Sequence, residues 1–132
     1  FWGTGTTSLA AMAAGRNSVG VERDQGFVEA FAERASEAPS VSRDVNAARL
    51  DAHREFVAET REAGDDLGYE NEHYDVPVRT RQERDLRLYD AASVERVDGD
   101  GDGCSDVAAD GGSDSFADCA YRVVHEPHNL GE

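Results

Sequence analysis

A glycine-rich turn at the start of the sequence has the composition of a site for a polar cofactor. The chain opens FWGTGTT and continues into Ser8–Ala14, a run of good helix formers without charge. Gly3 and Gly5 lack a Cβ atom, so backbone N–H groups can approach a ligand there, and the following helix N-terminus adds partial positive charge. Thr6 and Thr7 add two hydroxyl groups at the same end. These residues predict a cofactor-binding turn.

An acidic residue follows the turn at a spacing that dinucleotide-binding folds use. Asn17–Glu22 has the pattern of a short buried strand that ends in the acid. Gly5 and Glu22 are 17 residues apart. In dinucleotide folds, an acid about 20 residues after the glycine turn accepts hydrogen bonds from a ribose diol. A tight turn before a buried helix explains the glycines equally well, so both interpretations stay open on these features. A phosphate-binding P-loop is disfavoured because the chain contains no Lys.

The longer string FWGTGTTSLAAMAAGRNSVGVERD resembles the cofactor-binding segment of the DNA amino-methyltransferases. These S-adenosylmethionine-dependent enzymes modify adenine N6 or cytosine N4, and their pattern is DPF-x-GSGTT, a helix, then GR-x-x-IG-x-E-x-D. Thr4 replaces the usual Ser and Val19 the usual Ile. The matching residues are Phe1, Gly3, Gly5, Thr6, Thr7, Gly15, Arg16, Gly20, Glu22 and Asp24.

The resemblance implies a role for each residue of the cofactor site. The phenylalanine would lie against the adenine or the adjoining cofactor edge, and the two glycines would form the turn under the methionine part. One of the two threonines would bond the methionine carboxylate, and the glutamate would hold the ribose hydroxyls. Asp24 is expected to cap a helix. The implied cofactor-binding residues are Phe1, Gly3, Gly5, Thr6, Thr7 and Glu22.

The family's catalytic tetrapeptide, Asp/Asn/Ser-Pro-Pro-aromatic, does not occur in the sequence, because Pro39, Pro77 and Pro127 are isolated. No catalytic residue is therefore predicted in this chain. In one permuted arrangement of the family, the tetrapeptide and the target-recognition region precede the glycine-rich loop. The resemblance then implies the C-terminal part of a longer enzyme, inactive alone, that contacts DNA mostly through other regions.

The order turn, helix, strand, helix predicts an α/β fold. Residues 1–39 are expected to form part of a Rossmann-like S-adenosylmethionine-binding domain, with Pro39 ending the second helix. Residues 40–132 are expected to form a helical and β-hairpin extension with a mobile acidic insertion at 98–118. In the extension, Ser93–Val97 and Ala120–His125 are expected to pair, and Leu86 and Leu88 to share a strand face. A third helix is predicted to bury Val41, Val45, Ala48, Ala52 and Phe56.

Composition bounds the cellular setting. The net charge is −15 and neither Lys nor Ile occurs, which favours a cytoplasmic protein of an extreme halophile over a disordered chain. At 1 M salt, charges are screened beyond roughly 3 Å. No apolar run reaches the ~20 residues of a membrane helix, and no signal peptide is evident. The acidic chain should also repel nucleic acid except through local contacts.

Other groups of polar residues favour ordinary structural roles. Asp98, Asp100 and Asp102 imitate a calcium loop but lack its final glutamate, and the two cysteines lack the short spacing of a zinc site. No metal site is therefore predicted. The basic cluster Arg79, Arg81, Arg84 and Arg87 is better explained as a solvated strand face than as a phosphate-binding strand.

The predicted function is a site-specific DNA methyltransferase, as in restriction–modification. A non-enzymatic acidic interaction module and an RNA or small-molecule methyltransferase are the alternatives.

Overall fold

The computed structural model of the chain describes residues 1–97 and 120–130. Within these ranges, helices come first and antiparallel strand pairs follow. The elements are α1 (Thr6–Ala13), α2 (Gln25–Ala35), α3 (Ala38–Glu62), β1 (Tyr69–Glu70), β2 (Pro77–Val78), a 3-10 turn (Arg81–Glu83), β3 (Tyr89–Val97) and β4 (Ala120–Pro127). β1 pairs with β2 and β3 with β4. Helices and strands are thus combined, but no parallel sheet forms within the described residues.

The predicted buried strand at Asn17–Glu22 is wrong. This segment forms neither helix nor strand, and Val19 and Val21 are 97% and 70% exposed. Its contact with the first turn includes the hydrogen bond from Trp2 N to Val21 O, 3.1 Å long. A strand needs a continuous ladder of such bonds and a covered face, and the described residues supply neither.

Helix ends follow the local signals in the sequence. The Asp24 carboxylate caps α2 by accepting a hydrogen bond of 2.9 Å from Gly26 N, as predicted. Gly15 and Gly64 follow α1 and α3 with φ of 64° and 83°, the left-handed conformation that ends many helices. Pro39, however, does not end α2. It lies in the first turn of α3, where its missing N–H has no partner inside the helix.

The buried face of α3 also differs from the prediction. Val45 and Phe56 of the predicted face are 50% and 39% exposed. The face that packs inward includes three polar residues, which an apolar pattern does not select. It consists of Ala38, Ser42, Asn46, Leu50, Val57 and Thr60.

Specific hydrogen bonds explain why the polar residues of α3 are buried. Ser42 Oγ donates to the carbonyl of Ala13 at 2.9 Å and accepts from the amide of Ala91 at 3.0 Å. Asn46 Nδ2 donates to the carbonyl of Tyr89 at 2.9 Å and to the Asp90 carboxylate at 2.8 Å. A buried polar group with partners costs little, so these bonds fix α3 against α1 and β3.

Two apolar clusters form the core of the part of the chain that the structure describes. The first lies under the glycine-rich turn and joins both sides of the predicted boundary at residue 39. It contains Leu9, Phe31, Ala35, Ala38 and Ala91, with Trp2, Met12, Val94, Tyr121 and Val123 packed against it. The second lies between α3 and the short strands and contains Leu50, Tyr74, Val76 and Leu88. The first cluster therefore anchors the turn to the hairpin.

The predicted hairpin is confirmed and is longer than expected, since β3 and β4 pair from Tyr89 opposite Pro127 to Val97 opposite Ala120. The predicted strand face of Leu86 and Leu88 is wrong, because Leu86 is 46% exposed and both residues precede β3. The predicted insertion at 98–118 and its calcium-like motif lie outside the described residues. Among the described residues, no helix has the length and apolarity needed to cross a membrane.

Candidate functional site

The glycine-rich turn and Glu22 lie against each other, as the spacing predicted. Glu22 Oε2 accepts a hydrogen bond of 2.7 Å from Gly3 N. Glu22 Oε1 accepts from the amides of Arg23 at 2.8 Å and Asp24 at 3.0 Å. One carboxylate thus connects the turn to the segment before α2, so the two halves of the sequence pattern form one surface.

The same three amides keep Glu22 ionised. Hydrogen bonds from Asp24, Gly3 and Arg23, in that order of effect, lower the pKa of Glu22 from its ordinary value of 4.5 to about 2. The carboxylate is therefore an anion at every physiological pH. An ionised carboxylate accepts hydrogen bonds from a ribose diol or another hydroxyl donor more strongly than a neutral oxygen does.

This carboxylate predicts a pH-dependent contribution to stability. Because the pKa of Glu22 is lower in the folded chain than its ordinary 4.5, its contribution is fully present above pH 4.5 and is lost as the pH falls towards about 2. We expect Glu22→Gln to reduce the free energy of unfolding most above pH 4.5, and the difference from wild type to vanish near pH 2. Urea unfolding of both proteins across this range measures the difference. A difference that does not change with pH would contradict the three-amide contact.

Gly3 and Gly5 are required for different reasons. Both have positive φ, 56° and 72°, which residues other than Gly rarely adopt. A Cβ on Gly5 would overlap the ring of Phe31 and lie 2.9 Å from Trp2 Cζ2, so Gly5 is required by the core beneath it. A Cβ on Gly3 would meet nothing within 4 Å. Gly3 is therefore the glycine whose outer side is open to a ligand.

Trp2 holds the underside of the turn, a role that the sequence pattern did not reveal. Its Nε1 donates to Ser8 Oγ at 2.8 Å, and Ser18 Oγ donates to the same oxygen at 2.9 Å. A Cβ on Gly20 would overlap the indole ring. The glycine at this position of the pattern is thus explained by packing against Trp2.

The N-terminus of α1 lies at the edge of the turn. Gly5 is its N-cap residue, no side chain caps the helix, and its first turn contains no acidic residue. Thr6 and Thr7 are exposed there, and Thr6 Oγ1 lies 3.3 Å from Thr4 Oγ1. The hydroxyls are therefore available at the positive end of the helix dipole.

The six predicted cofactor residues thus fall into two groups. Glu22, the two glycines and the two threonines surround one turn. Phe1 precedes them with a fully exposed side chain, which no described residue covers. Whether a cofactor contacts any of these residues stays a prediction.

Other candidate sites lie away from this turn. In the basic cluster, Arg79 stacks 5.4 Å above the Phe56 ring and Arg84 pairs with Glu72 at 2.9 Å. A cavity of about 180 Å³ lies beside the second core cluster and is lined in part by His53 and Tyr74. In residues 1–97 and 120–130, no group of three or more His, Cys, Asp or Glu side chains could hold a metal ion.

Comparison with known proteins finds a methyltransferase relative. The chain is 38% identical over 97 residues to the type II methyltransferase M.MthZI of Methanothermobacter thermautotrophicus. The match covers 74% of this chain and 26% of that protein, so the chain spans about a quarter of the relative's length. No family model and no solved structure matches.

The similarity extends well beyond the glycine-rich segment. That segment accounts for 24 residues, so at least 73 of the 97 matched residues lie outside it. The extension that follows the turn is therefore included in the relationship. The chain is related in sequence to a type II methyltransferase over about three quarters of its length.

Proposed function

We propose that this chain forms the S-adenosylmethionine-binding part of a site-specific DNA methyltransferase that modifies an exocyclic amino group of adenine or cytosine. The observation that carries the proposal is the Glu22 carboxylate, held by three backbone amides beside the open side of Gly3. The relationship to a type II methyltransferase supports the same function.

The residues around the turn fit the chemical groups of this cofactor. Glu22 Oε1 already accepts two N–H groups and Oε2 only one, so Oε2 keeps capacity to accept a ribose hydroxyl. Gly3 leaves the backbone of the turn accessible. Thr6 or Thr7 would bond the methionine carboxylate at the α1 N-terminus, and Phe1 would lie against the adenine.

The role of this chain is to bind and orient the cofactor. When bound, S-adenosylmethionine supplies an electrophilic methyl group. Recognition of the target base and of DNA would lie in other parts of a longer enzyme, since the chain spans about a quarter of the relative's length. The amino-methyltransferase subtype, a Rossmann-like domain, a restriction–modification role, a cytoplasmic location and a halophilic source belong to the proposal and rest on the sequence pattern and composition.

Glu22→Ala in the complete enzyme tests the proposal. We expect affinity for S-adenosylmethionine to fall roughly ten- to a hundred-fold, because the charge-assisted hydrogen bonds from the ribose hydroxyls to Glu22 would be lost. Calorimetric titration measures the change. Glu83→Ala is the matched control, since Glu83 also accepts a backbone hydrogen bond, 2.8 Å from Thr80 N, but lies outside the turn. No binding by the wild type would refute the function.

A second titration separates ribose recognition from damage to the turn. S-adenosylhomocysteine and its 2′-deoxy analogue differ only in one ribose hydroxyl. The wild type should prefer the hydroxylated ligand, and Glu22→Ala should lose that preference. If Glu22→Ala binds more weakly but keeps the preference, Glu22 supports the turn and does not contact the ribose.

A further inference from the structure

Arg34, a residue of α2 that the sequence pattern does not include, reaches the glycine-rich turn. Its Nη1 donates to the carbonyl of Thr4 at 3.1 Å and to Thr6 Oγ1 at 3.4 Å. Arg34 is 30 positions from Thr4 and 28 positions from Thr6 in the sequence, so only the folded chain brings these residues together. Arg34 thus contacts Thr6, one of the two threonines proposed to bond the methionine carboxylate.

The position of Arg34 is fixed by the helix that carries it. Phe31 lies one turn earlier on α2, is 1% exposed, and has its ring centroid 4.4 Å from that of Trp2. Residues three apart share a helix face, so Phe31 supports the turn from below while Arg34 reaches its edge. The guanidinium is therefore held at the turn by a rigid element.

The guanidinium has hydrogen-bonding capacity left. Both contacts come from Nη1, whereas a guanidinium carries five N–H groups on three nitrogens. In the described part of the chain, no carboxylate forms a salt bridge with Arg34. A guanidinium in this state can pair with a carboxylate through two parallel hydrogen bonds.

The negative charge around the turn would oppose the binding of a carboxylate unless a positive charge such as that of Arg34 lies nearby. The chain carries a net charge of −15, and ionised Glu22 contacts the same turn at Gly3. Both repel an incoming carboxylate, so a ligand that presents one needs a local positive charge.

We propose that Arg34 recognises the carboxylate of the cofactor's amino-acid part and holds it against Thr6. This inference rests on the proposed function and adds to it the residue that distinguishes a carboxylate-bearing ligand from one without it. Glu22 and Arg34 then select opposite ends of the ligand, the ribose and the carboxylate.

Two ligands that differ in the amino-acid part test the inference in the complete enzyme. S-adenosylhomocysteine carries the carboxylate, whereas 5′-methylthioadenosine keeps the nucleoside and lacks it. We expect Arg34→Gln to lower the affinity for S-adenosylhomocysteine roughly ten- to a hundred-fold and to leave the affinity for 5′-methylthioadenosine unchanged. Arg34→Lys should have an intermediate effect, because it keeps the charge but not the planar fork. Arg43→Gln, which removes an exposed positive charge from α3, should change neither affinity.

The outcomes separate the inference from the function on which it rests. Equal weakening of both ligands by Arg34→Gln would show that Arg34 only shapes the turn, and no weakening of either would exclude a role in binding. Each result overturns the inference and leaves the function standing. Failure of the wild type to bind S-adenosylhomocysteine would overturn both.

Discussion

Gly5→Val is expected to disrupt the glycine-rich turn and to lower cofactor affinity in the complete enzyme more than about 100-fold. The backbone at Gly5 has φ of 72°, and a side chain there would overlap the Phe31 ring. A left-handed conformation costs about 1–2 kcal/mol and overpacking a core typically about 1–3 kcal/mol. Denaturant unfolding of the chain and ligand titration of the enzyme measure the two effects.

Substitutions at two other glycines separate the cost of backbone strain at positive φ from the cost of side-chain overlap. Gly64→Ala shares the positive φ of 83° but would meet nothing within 4 Å and lies away from the turn. It should show only the cost of strain and no change in affinity. Gly3→Ala should destabilise to a similar small extent but weaken binding, because its open side is where a ligand approaches. If Gly5→Ala proves as stable as Gly64→Ala, the packing of Phe31 against Gly5 is wrong.

Features that depend on neighbouring residues were predictable from the sequence. Asp24 and Gly15 each act within one helical turn, and the predicted cap and helix end are observed. The β3–β4 hairpin was predictable because its two apolar segments flank a single Gly- and Asp-rich stretch. The cap and helix-end signals act over few bonds, so the rest of the fold changes them little.

Features that depend on distant partners were predicted poorly. The buried face of α3 was misplaced because Ser42 and Asn46 are covered through hydrogen bonds to α1 and β3, which no periodic apolar pattern encodes. The segment Asn17–Glu22 has the composition of a strand, but strand formation is decided by its neighbours in a sheet. In both cases tertiary partners decide the outcome: they are present for Ser42 and Asn46, and among the described residues they are absent for Asn17–Glu22.

The candidate site shows the same division. The spacing of Gly5 and Glu22 predicted that the turn and the acid meet, and the bond between Glu22 Oε2 and Gly3 N agrees with it. Trp2 and Arg34 were missed, since Trp2 reaches the turn through Ser8, and Arg34 reaches it from α2 at Thr4 and Thr6. A short pattern selects residues close together in sequence, whereas Trp2 and Arg34 are connected to the turn by contacts that only the folded chain brings together.

Phe31→Ala is expected to destabilise the chain by about 3–5 kcal/mol, the usual cost of truncating a buried aromatic side chain. Phe31 is 1% exposed and packs edge-on against the rings of Trp2 at 4.4 Å and Tyr121 at 5.4 Å. Its removal leaves a cavity beneath Gly5 and loosens the helix that carries Arg34. We therefore expect cofactor affinity in the complete enzyme to fall as well, at temperatures where the protein remains folded.

Leu50→Ala is the matched control for this second effect. Leu50 is 6% exposed and belongs to the other core cluster, and its truncation should cost about 2–5 kcal/mol. Because that cluster lies away from the turn, its loss should leave affinity unchanged while the protein is folded. Thermal unfolding and titration of the two variants give stability and affinity separately. Equal losses of affinity would mean that general destabilisation, and not support of the turn by Phe31, controls binding. A loss confined to Phe31→Ala would show that the turn binds only when the aromatic core beneath it is intact.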